Sequence, residues 1–433
     1  MASDCAPASA PFHLMTKPIG PICNLECTYC FYLEKEKLFA DNERWRMSDA
    51  TLERYVQAYI EAQPGDEVHF AWQGGEPTLL GVDFFKRAVE LQQTYANGKR
   101  ISNAFQTNGT LLNDAWATFL VENDFLVGIS IDGPPELHNR YRVDKRGQES
   151  YSKVMRGLEC LKRHRVEFNT LTVVNRVNSQ QPLKLYRFLR NIGSTYLQFI
   201  PLVEREADVA AHKLGLDLAS PPDAAQARTL DGTREGERPK VTEWSVRPED
   251  YGSFLCQIFD RWLSRDVGKT YVQHFDTALA KWLGVRGGVC HFSETCGRAL
   301  AIEHDGNVYA CDHYVYPHYR LGNFLESDLA SMVDGERMQR FGEGKRDTLP
   351  QYCRECTYLF ACNGECPKHR FDTTPSGEPG LNYLCRAYKK FFAHIDPAMR
   401  VMADLYRRGQ PPATIMTLLQ RDPNLLQRVA QAT

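Results

Sequence analysis

Residues 12–35 read FHLMTKPIGPICNLECTYCFYLEK, and this stretch decides how the rest of the chain is interpreted. Cys23, Cys27 and Cys30 follow a short extended segment and lie in a loop with the spacing C-x3-C-x2-C. A structural zinc ion needs a fourth ligand close by, but the next histidine along the chain is His69. Three thiolates fit a four-iron cluster that leaves one iron open to a small molecule. The competing interpretation is a zinc site that borrows a distant ligand.

Strand-like and helix-like segments alternate from this loop to about residue 200. The predicted strands are 13–17, 68–72, 101–106, 125–131, 167–174 and 196–200, and the predicted helices are 47–61, 82–95, 113–122, 151–163 and 182–191. Ser48 or Asp49 is the expected cap of the first helix. This alternation favours a parallel α/β sheet with right-handed crossovers, either open or closed into a barrel.

The composition excludes several classes of protein. The chain has 433 residues, 43% hydrophobic and 24% charged, which excludes wholesale disorder and favours two or three domains unless one barrel takes most of the length. A net charge of −2 gives no basic face for nucleic acid. No apolar run reaches the roughly 18 residues of a membrane helix. The N-terminus lacks the positive region of a secretory signal, so we expect a cytoplasmic protein.

Fourteen cysteines are unusual in a cytoplasmic chain, where thiols stay reduced and clustered cysteines usually bind metal or do redox chemistry. Eight of them lie between Cys290 and Cys385, with the spacings C-x5-C-x14-C and C-x2-C-x5-C-x3-C-x18-C. Eight thiolates suffice for two four-iron clusters or for two zinc sites. Cys5, Cys160 and Cys256 stand alone and are interpreted as small core or surface residues.

Changes in composition divide the chain into six segments. The expected segments are a tail (1–12), the α/β unit (13–204), a polar insertion or linker with at most a short helix (205–247), connecting helices (248–289), a Cys-rich domain (290–386), and a C-terminal helix with a polar tail (387–433). The Cys-rich domain has little apolar run of its own, so we expect bound metal to hold it together.

The first Cys loop, with Tyr29 before its last cysteine, resembles the signature of the radical S-adenosylmethionine (SAM) enzymes. In that family a partial (β/α)6 barrel carries the loop, the open iron chelates SAM, and one electron cleaves SAM to a 5′-deoxyadenosyl radical. The resemblance implies that Cys23, Cys27 and Cys30 bind a [4Fe-4S] cluster and that Tyr29 contributes to cofactor binding.

Further residues lie at or just beyond the ends of predicted strands, where barrel active sites form. In the motif GGEP, two glycines let a ligand approach the backbone closely, and the glutamate offers an acceptor to an ammonium group. In the family this motif holds the amino group of SAM, a serine and an arginine touch its ribose and carboxylate, and an apolar residue packs on its adenine. The corresponding residues here are Gly74, Gly75, Glu76, Ser130, Arg142 and Val203.

The Cys-rich domain resembles the SPASM extension of radical SAM enzymes that modify peptides. By that resemblance, two fully ligated [4Fe-4S] clusters serve electron transfer, for three clusters in all. The first auxiliary set is Cys290, Cys296, Cys311 and Cys366, and the second is Cys353, Cys356, Cys362 and Cys385.

Within that group the chain resembles the anaerobic sulfatase-maturating enzymes, which oxidise a Cys or Ser of a sulfatase to Cα-formylglycine. The runs WQGGEPTL and FQTNGTLL and the Cys311-Asp312-His313 triplet carry this resemblance beside the first loop. It implies Asp312 as the proton acceptor and places Tyr32 and Gln73 near the substrate side chain. Without the resemblance, Asp312 is either such a base or a turn residue that follows the cluster ligand Cys311.

The resemblance also implies the partners: an unfolded sulfatase polypeptide and a low-potential electron donor such as flavodoxin or ferredoxin, with no nucleic acid and no membrane. The sequence leaves open whether the target is Cys or Ser. One alternative is a SPASM enzyme that crosslinks a ribosomally made peptide, but only 22 residues precede Cys23 where a leader-binding domain would stand. Another is a non-enzymatic zinc- or iron–sulfur-binding interaction protein.

Overall fold

The computed structural model describes residues 6–40, 44–223, 240–285 and 287–431, so Cys5 lies outside the described residues. Six parallel strands, hydrogen-bonded in chain order, form the predicted sheet, and each lies within one residue of its predicted bounds. They are β1 (His13–Lys17), β2 (Glu67–Trp72), β3 (Arg100–Thr107), β4 (Phe125–Ser130), β5 (Phe168–Val174) and β6 (Tyr196–Pro201).

Helices connect these strands, as the alternation predicts. They are α1 (Asp49–Ala62), α2 (Val82–Tyr95), α3 (Asp114–Glu122), α4 (Pro135–His138), α5 (Tyr151–His164) and α6 (Pro182–Asn191). Ser48, not Asp49, caps α1, because its hydroxyl accepts a hydrogen bond from the Thr51 N–H at 3.0 Å. The amide oxygen of Asn113 caps α3 in the same way.

The sheet has ten strands rather than six, because later segments add to both of its edges. The added strands are β7 (Tyr271–Val272), β8 (Ala299–Glu303), β9 (Asn307–Tyr309) and β10 (Arg320–Asn323). β7 pairs with β6, whereas β8 pairs in parallel with β1 and sets Lys17 opposite Glu303. β9 and β10 continue that edge as antiparallel strands. The Cys-rich segment therefore continues the sheet of the barrel, which the sequence analysis did not predict.

The remaining elements belong to the insertion, the connecting helices, the Cys-rich segment and the C-terminal part of the chain. They are α7 (Val209–Lys213), α8 (Pro248–Arg265), α9 (Gln273–Trp282), α10 (Leu329–Asp334), α11 (Glu336–Asp347), α12 (Gln351–Arg354), α13 (Leu359–Cys362), β11 (Asp372–Thr373), β12 (Pro379–Leu381), α14 (Cys385–Arg407), α15 (Thr414–Arg421) and α16 (Leu425–Gln431). The expected polar tail is wrong in part, since α15 and α16 follow α14. The insertion carries α7 alone in its described part, and its residues 224–239 lie outside the described ranges.

One hydrophobic core runs through the barrel and the Cys-rich segment. Leu300, Ile302 and Val308 of the Cys-rich segment are each at most 1% exposed. Their apolar run is short, and it is buried because β1 supplies the neighbouring strand. Cys160 and Cys256 are buried core residues, as predicted. Among the described helices, none combines the length and apolar character needed to cross a bilayer.

Candidate active site

The loop of Cys23, Cys27 and Cys30 leaves the C-terminal end of β1 and is held by backbone hydrogen bonds to the segment after α4. The Glu26 N–H donates to the Val143 carbonyl at 2.8 Å, and the Thr28 N–H donates to the Tyr141 carbonyl at 2.9 Å. The Cys30 N–H donates to the Cys27 carbonyl within the loop. The three thiols therefore sit on a fixed loop at the carboxyl edge of the sheet, where barrel enzymes bind their ligands.

The surroundings of these three thiols disfavour the negatively charged thiolate form. Burial, followed by the charge of Glu76, raises the pKa of Cys23 to about 12. Burial likewise raises the pKa of Cys27 to about 12, against the lowering effect of Arg142. Thiolates at these positions need added positive charge, which bound iron supplies. The donor set therefore fits an iron–sulfur cluster.

Local packing and backbone conformation require both glycines of the GGEP motif. The Gly75 N–H donates to the Gly20 carbonyl at 2.7 Å, and the Glu76 N–H donates to the Ile22 carbonyl at 2.9 Å. A Cβ atom on Gly75 would lie 1.9 Å from the Ile22 carbonyl oxygen. Gly74 has a φ of +133°, which favours glycine. The motif therefore packs directly against the segment that leads into Cys23.

The Glu76 side chain is held by hydrogen bonds within the chain, and its expected contact with an ammonium group stays a prediction. Its carboxylate is fully buried and accepts four hydrogen bonds, from the Thr78 N–H and hydroxyl, the Thr107 hydroxyl and the Asn108 N–H. These donors tie the end of β2 to the end of β3, with three of the four bonds on Oε1 and one on Oε2.

Asp132, just beyond β4, organises the next group of predicted residues. Its carboxylate accepts hydrogen bonds from the Tyr29 hydroxyl and from Arg142 Nε, the latter at 2.9 Å. The guanidinium of Arg142 also lies over the Tyr29 ring. Ser130 accepts a hydrogen bond from the Gln106 amide at 3.1 Å. Sequence reasoning missed Asp132, although it stands in the run ISIDG directly after the strand.

A second charged group stands at the end of β1, where the pairing with β8 brings the Cys-rich segment against the barrel. Lys17 Nζ forms an ion pair with Asp312 and lies 3.6 Å from the centre of the Tyr32 ring. The Tyr32 hydroxyl donates to the Glu303 carboxylate. Gln73 joins this edge through its backbone N–H, which donates to a carbonyl of β1. The structure therefore brings Asp312 and Tyr32 together around Lys17 and attaches the backbone of Gln73 to the end of β1.

The carboxylate of Asp312 is held in its ionised form. Burial raises its pKa, but the charge of Lys17 and the other neighbouring cations outweigh burial and hold the pKa below its ordinary value. The group is therefore ionised at neutral pH. The Lys17 side chain is 1% exposed and that of Asp312 is 17% exposed. Part of the Asp312 side chain therefore stays accessible to solvent.

Val203 follows β6 and lines a cleft between the barrel and the Cys-rich segment, together with Phe31 and His313. Lys368 Nζ donates to the Val203 carbonyl and to the Glu204 carboxylate, both at 2.7 Å. This buried ion pair joins the end of β6 to a residue close to Cys366. Lys368 is a second residue that sequence reasoning did not single out.

The eight cysteines of the Cys-rich segment form two groups. Cys353, Cys356, Cys362 and Cys385 line one cavity. In the other group, burial and then the charges of Cys290 and Cys366 raise the pKa of Cys311. Burial raises the pKa of Cys296 and the charge of Glu365 adds to the rise, whereas Lys345 and Arg370 oppose it.

The distances between the thiol sulfur atoms bear on the choice between a zinc site and an iron–sulfur cluster. Four thiolates on one zinc ion lie about 3.8 Å apart, because each Zn–S bond is about 2.3 Å long. Within the described chain, no three of the clustered thiols lie within 4.8 Å of one another. As placed in the described chain, the thiols do not form the compact ligand set that a single zinc ion requires.

Comparison with known proteins agrees with this geometry. Residues 18–189 match the radical SAM superfamily, and residues 290–357 match the iron–sulfur cluster-binding domain called SPASM. A serine-type anaerobic sulfatase-maturating enzyme of Bacteroides thetaiotaomicron is 46% identical over 97% of this chain and 98% of its own. A cysteine-type anaerobic sulfatase-maturating enzyme of Clostridium perfringens is 35% identical over 90% of this chain and 97% of its own.

Solved structures agree as well. The structure of native anSMEcpe with bound AdoMet and a peptide superimposes with a TM-score of 0.76 at 32% identity, over 91% of this chain and 99% of that one. SuiB of Streptococcus suis, bound to its precursor peptide, shares the fold at a TM-score of 0.57 and 15% identity, over 87% of this chain and 76% of that one.

The fold and the Cys-lined sites define a radical SAM enzyme with a SPASM domain. Within that class, the chain belongs to the family of anaerobic sulfatase-maturating enzymes.

Proposed function

We propose that this enzyme oxidises a serine side chain in an unfolded sulfatase segment to Cα-formylglycine. The observation that carries the proposal is the position of Asp312. The pairing of β1 with β8 sets this ionised carboxylate beside Lys17, at the strand end that leads into the first Cys loop. Serine is named as the target because the relative that is 46% identical is serine-type.

We propose three [4Fe-4S] clusters, one on the first Cys loop and two in the Cys-rich segment, with SAM bound at the first. When bound there, SAM supplies a 5′-deoxyadenosyl radical that takes one hydrogen atom from Cβ of the target residue. The polypeptide positions the target, keeps water away and handles the proton.

Asp312 accepts the proton that leaves the target hydroxyl, while Lys17 keeps the carboxylate ionised and fixed. The target would lose two hydrogens in all: SAM, held at the first Cys loop, would take one as an atom, and Asp312 would take the other as a proton. The eight cysteines of the Cys-rich segment would hold the clusters that accept the remaining electron. Tyr32 and Gln73 border this point and are proposed to line the bound side chain.

The proposed contacts to SAM come from the carboxyl ends of successive strands. The backbone of Gly74 and Gly75 faces the amino group, Ser130 and Arg142 face the ribose and carboxylate, and Val203 packs against the adenine. Asp132 fixes Arg142 and Tyr29 from behind through the hydrogen bonds described above.

We also propose that the barrel (13–204) and the Cys-rich segment (290–386) act as one catalytic unit joined by β1 and β8. The reaction belongs in the reducing cytoplasm, with a low-potential donor such as flavodoxin or ferredoxin. Reduced thiols are needed to assemble the clusters, which supports that location.

The test is anaerobic incubation with SAM, reductant and an unstructured sulfatase-derived peptide, followed by mass spectrometry with a hydrazide probe. We expect the serine peptide to lose two hydrogens and to react with the probe, because an aldehyde forms. A matched alanine peptide is the control and remains unchanged. Loss of two hydrogens without probe reactivity would favour the alternative of a peptide crosslinking enzyme. Turnover of a cysteine peptide alone would reassign the target residue.

A further inference from the structure

Lys35 carries a buried ammonium group that the proposed chemistry does not use. It belongs to a short 3₁₀ helix, Leu33–Leu38, which follows the first Cys loop, and the residue is 0% exposed. Among the residues that the structure describes, none forms a hydrogen bond or an ion pair with Lys35 Nζ. The ammonium lies instead 3.2 Å from the centre of the Tyr316 ring.

This placement costs the free enzyme stability. A buried ammonium group is unfavourable unless it is paired and hydrogen-bonded, and an aromatic face compensates only in part. Burial accordingly lowers the pKa of Lys35 below its ordinary value. An apolar side chain of similar length would fill the same space without this cost. Exceptions of this kind occur at functional sites, where a chain gives up stability for binding.

The segment that carries Lys35 faces the segment that carries the proposed base. The centres of the Phe31 and His313 rings lie 5.2 Å apart. Asp312, which precedes His313, is joined to the same interface through the ion pair described above. Tyr316, whose ring meets the ammonium of Lys35, lines the cleft beside both of these rings. A target residue that reaches Asp312 therefore brings its neighbours along the chain to this cleft.

The neighbouring carboxylates indicate which ligand suits this ammonium. Glu34 Oε2 accepts a hydrogen bond from the Asp217 N–H at 2.7 Å, whereas its Oε1 is buried and has no partner in the described part of the chain. Glu204, which lines the cleft, is paired with Lys368. These anions would repel a carboxylate ligand but not a neutral carbonyl oxygen. A polypeptide backbone offers a carbonyl to Lys35 and an N–H to the remaining oxygen of Glu34.

We propose that Lys35 is a substrate-binding residue that donates a hydrogen bond to a backbone carbonyl of the target polypeptide next to the target serine. The four-carbon stem of lysine is flexible, so the ammonium can turn from the Tyr316 ring to a ligand in the cleft. A charge-assisted hydrogen bond that is shielded from water holds the polypeptide in place beside Asp312. This inference rests on the proposed function.

The test is fluorescence anisotropy of a labelled sulfatase-derived serine peptide that has no acidic residue and an amidated C-terminus. The reconstituted holoenzyme is kept anaerobic with SAM and without reductant, so that the peptide binds but is not turned over. We expect Lys35→Met to raise the Kd of the peptide roughly 10- to 100-fold, because a hydrogen bond from a charged donor is lost. The Kd of SAM should stay unchanged. The free variant should unfold at a higher temperature than the parent, because an uncompensated buried charge has been removed.

Lys37→Met is the matched control, because Lys37 lies on the same 3₁₀ helix but is exposed and pairs with Asp217 at 3.0 Å. Unchanged peptide affinity in Lys35→Met would overturn the inference, and so would a lower unfolding temperature, which would assign Lys35 a structural role. A loss of affinity confined to a second peptide with acidic residues would overturn the assignment of a carbonyl ligand. A parent enzyme that binds no peptide would contradict the proposed function itself, which separates the two failures.

Discussion

At the residue scale, the pair of Lys17 and Asp312 shows what a sequence can and cannot predict. The first cluster site was predictable from the sequence, because its three cysteine ligands are neighbours along the chain. Asp312 was found through its place beside Cys311. Lys17 carries no such local signal, since its partner lies in a distant segment and only the pairing of β1 with β8 joins them.

The ion pair predicts a pH effect. Replacing Lys17 with Met removes the charge that holds the pKa of Asp312 down, so burial then raises that pKa. We expect Lys17→Met to lose aldehyde formation as the pH falls from 8 to about 6, where the parent's carboxylate stays ionised. In the parent, stability from the pair is present above the unfolded Asp pKa of about 3.9 and is lost as the pH falls through the lower folded pKa.

The measurement is the rate of formylglycine formation against pH, with Lys37→Met as control. Lys37 lies near the same loop but pairs at the surface with Asp217. A profile for Lys17→Met that parallels the parent at every pH would show that Lys17 does not tune Asp312.

At the scale of elements, the six strands and the main helices of the barrel were predictable because they alternate regularly along the chain. The extension of the sheet was not, since β8 is a five-residue run whose partner strand is β1. The structural role of the GGEP motif was not predictable either. Its glycines were expected to admit a ligand, but Gly75 is required by contact with Ile22, which only the folded chain reveals.

Gly75→Ala tests this contact. The new Cβ would lie 1.9 Å from the Ile22 carbonyl oxygen, so the loop before Cys23 must shift. Such overpacking costs about 1–3 kcal/mol of unfolding free energy. We expect loss of SAM binding and of the iron of the first cluster, with the auxiliary iron retained. Gly65→Ala is the control, because no atom lies within 4 Å of its added Cβ. Equal SAM binding in both variants would contradict the structural role of Gly75.

The second auxiliary set tests how far the Cys-rich segment depends on metal. We expect replacement of Cys353 and Cys356 by Ser to expose α12 and α13 to protease, because metal binding there contributes to folding. β8 should stay protected, since it is hydrogen-bonded to β1. Limited proteolysis with mass spectrometry locates the cuts, and Cys160→Ala serves as a buried non-ligand control. Cleavage within β8 in the double variant would show that the clusters, not the sheet, hold that strand.

At the scale of the whole molecule, the Cys-rich segment is built onto the barrel through one sheet and one core rather than attached by a linker. The family could be predicted from cysteine spacing and short motifs. The joining of the two parts could not, because it depends on strand pairing between distant segments. That joining sets Asp312 at the end of β1.

The cluster assignment predicts the iron content of the whole chain. Three [4Fe-4S] clusters correspond to about twelve iron and twelve sulfide ions per chain after anaerobic reconstitution. We expect replacement of Cys23, Cys27 and Cys30 by Ala to remove about one third of the iron and to abolish SAM cleavage. Zinc without sulfide in the parent, or 5′-deoxyadenosine from the triple variant, would contradict the assignment.

The most direct measurement uses a peptide deuterated at Cβ of its target serine, incubated anaerobically with SAM and either the parent or Asp312→Asn. We expect deuterium in 5′-deoxyadenosine from both enzymes, because hydrogen abstraction precedes proton transfer. Aldehyde should form with the parent and fall by roughly 10²–10⁴-fold in the variant, with its iron retained. Deuterium-free 5′-deoxyadenosine from the parent would contradict abstraction at Cβ, and an unchanged aldehyde rate in the variant would remove Asp312 from the reaction.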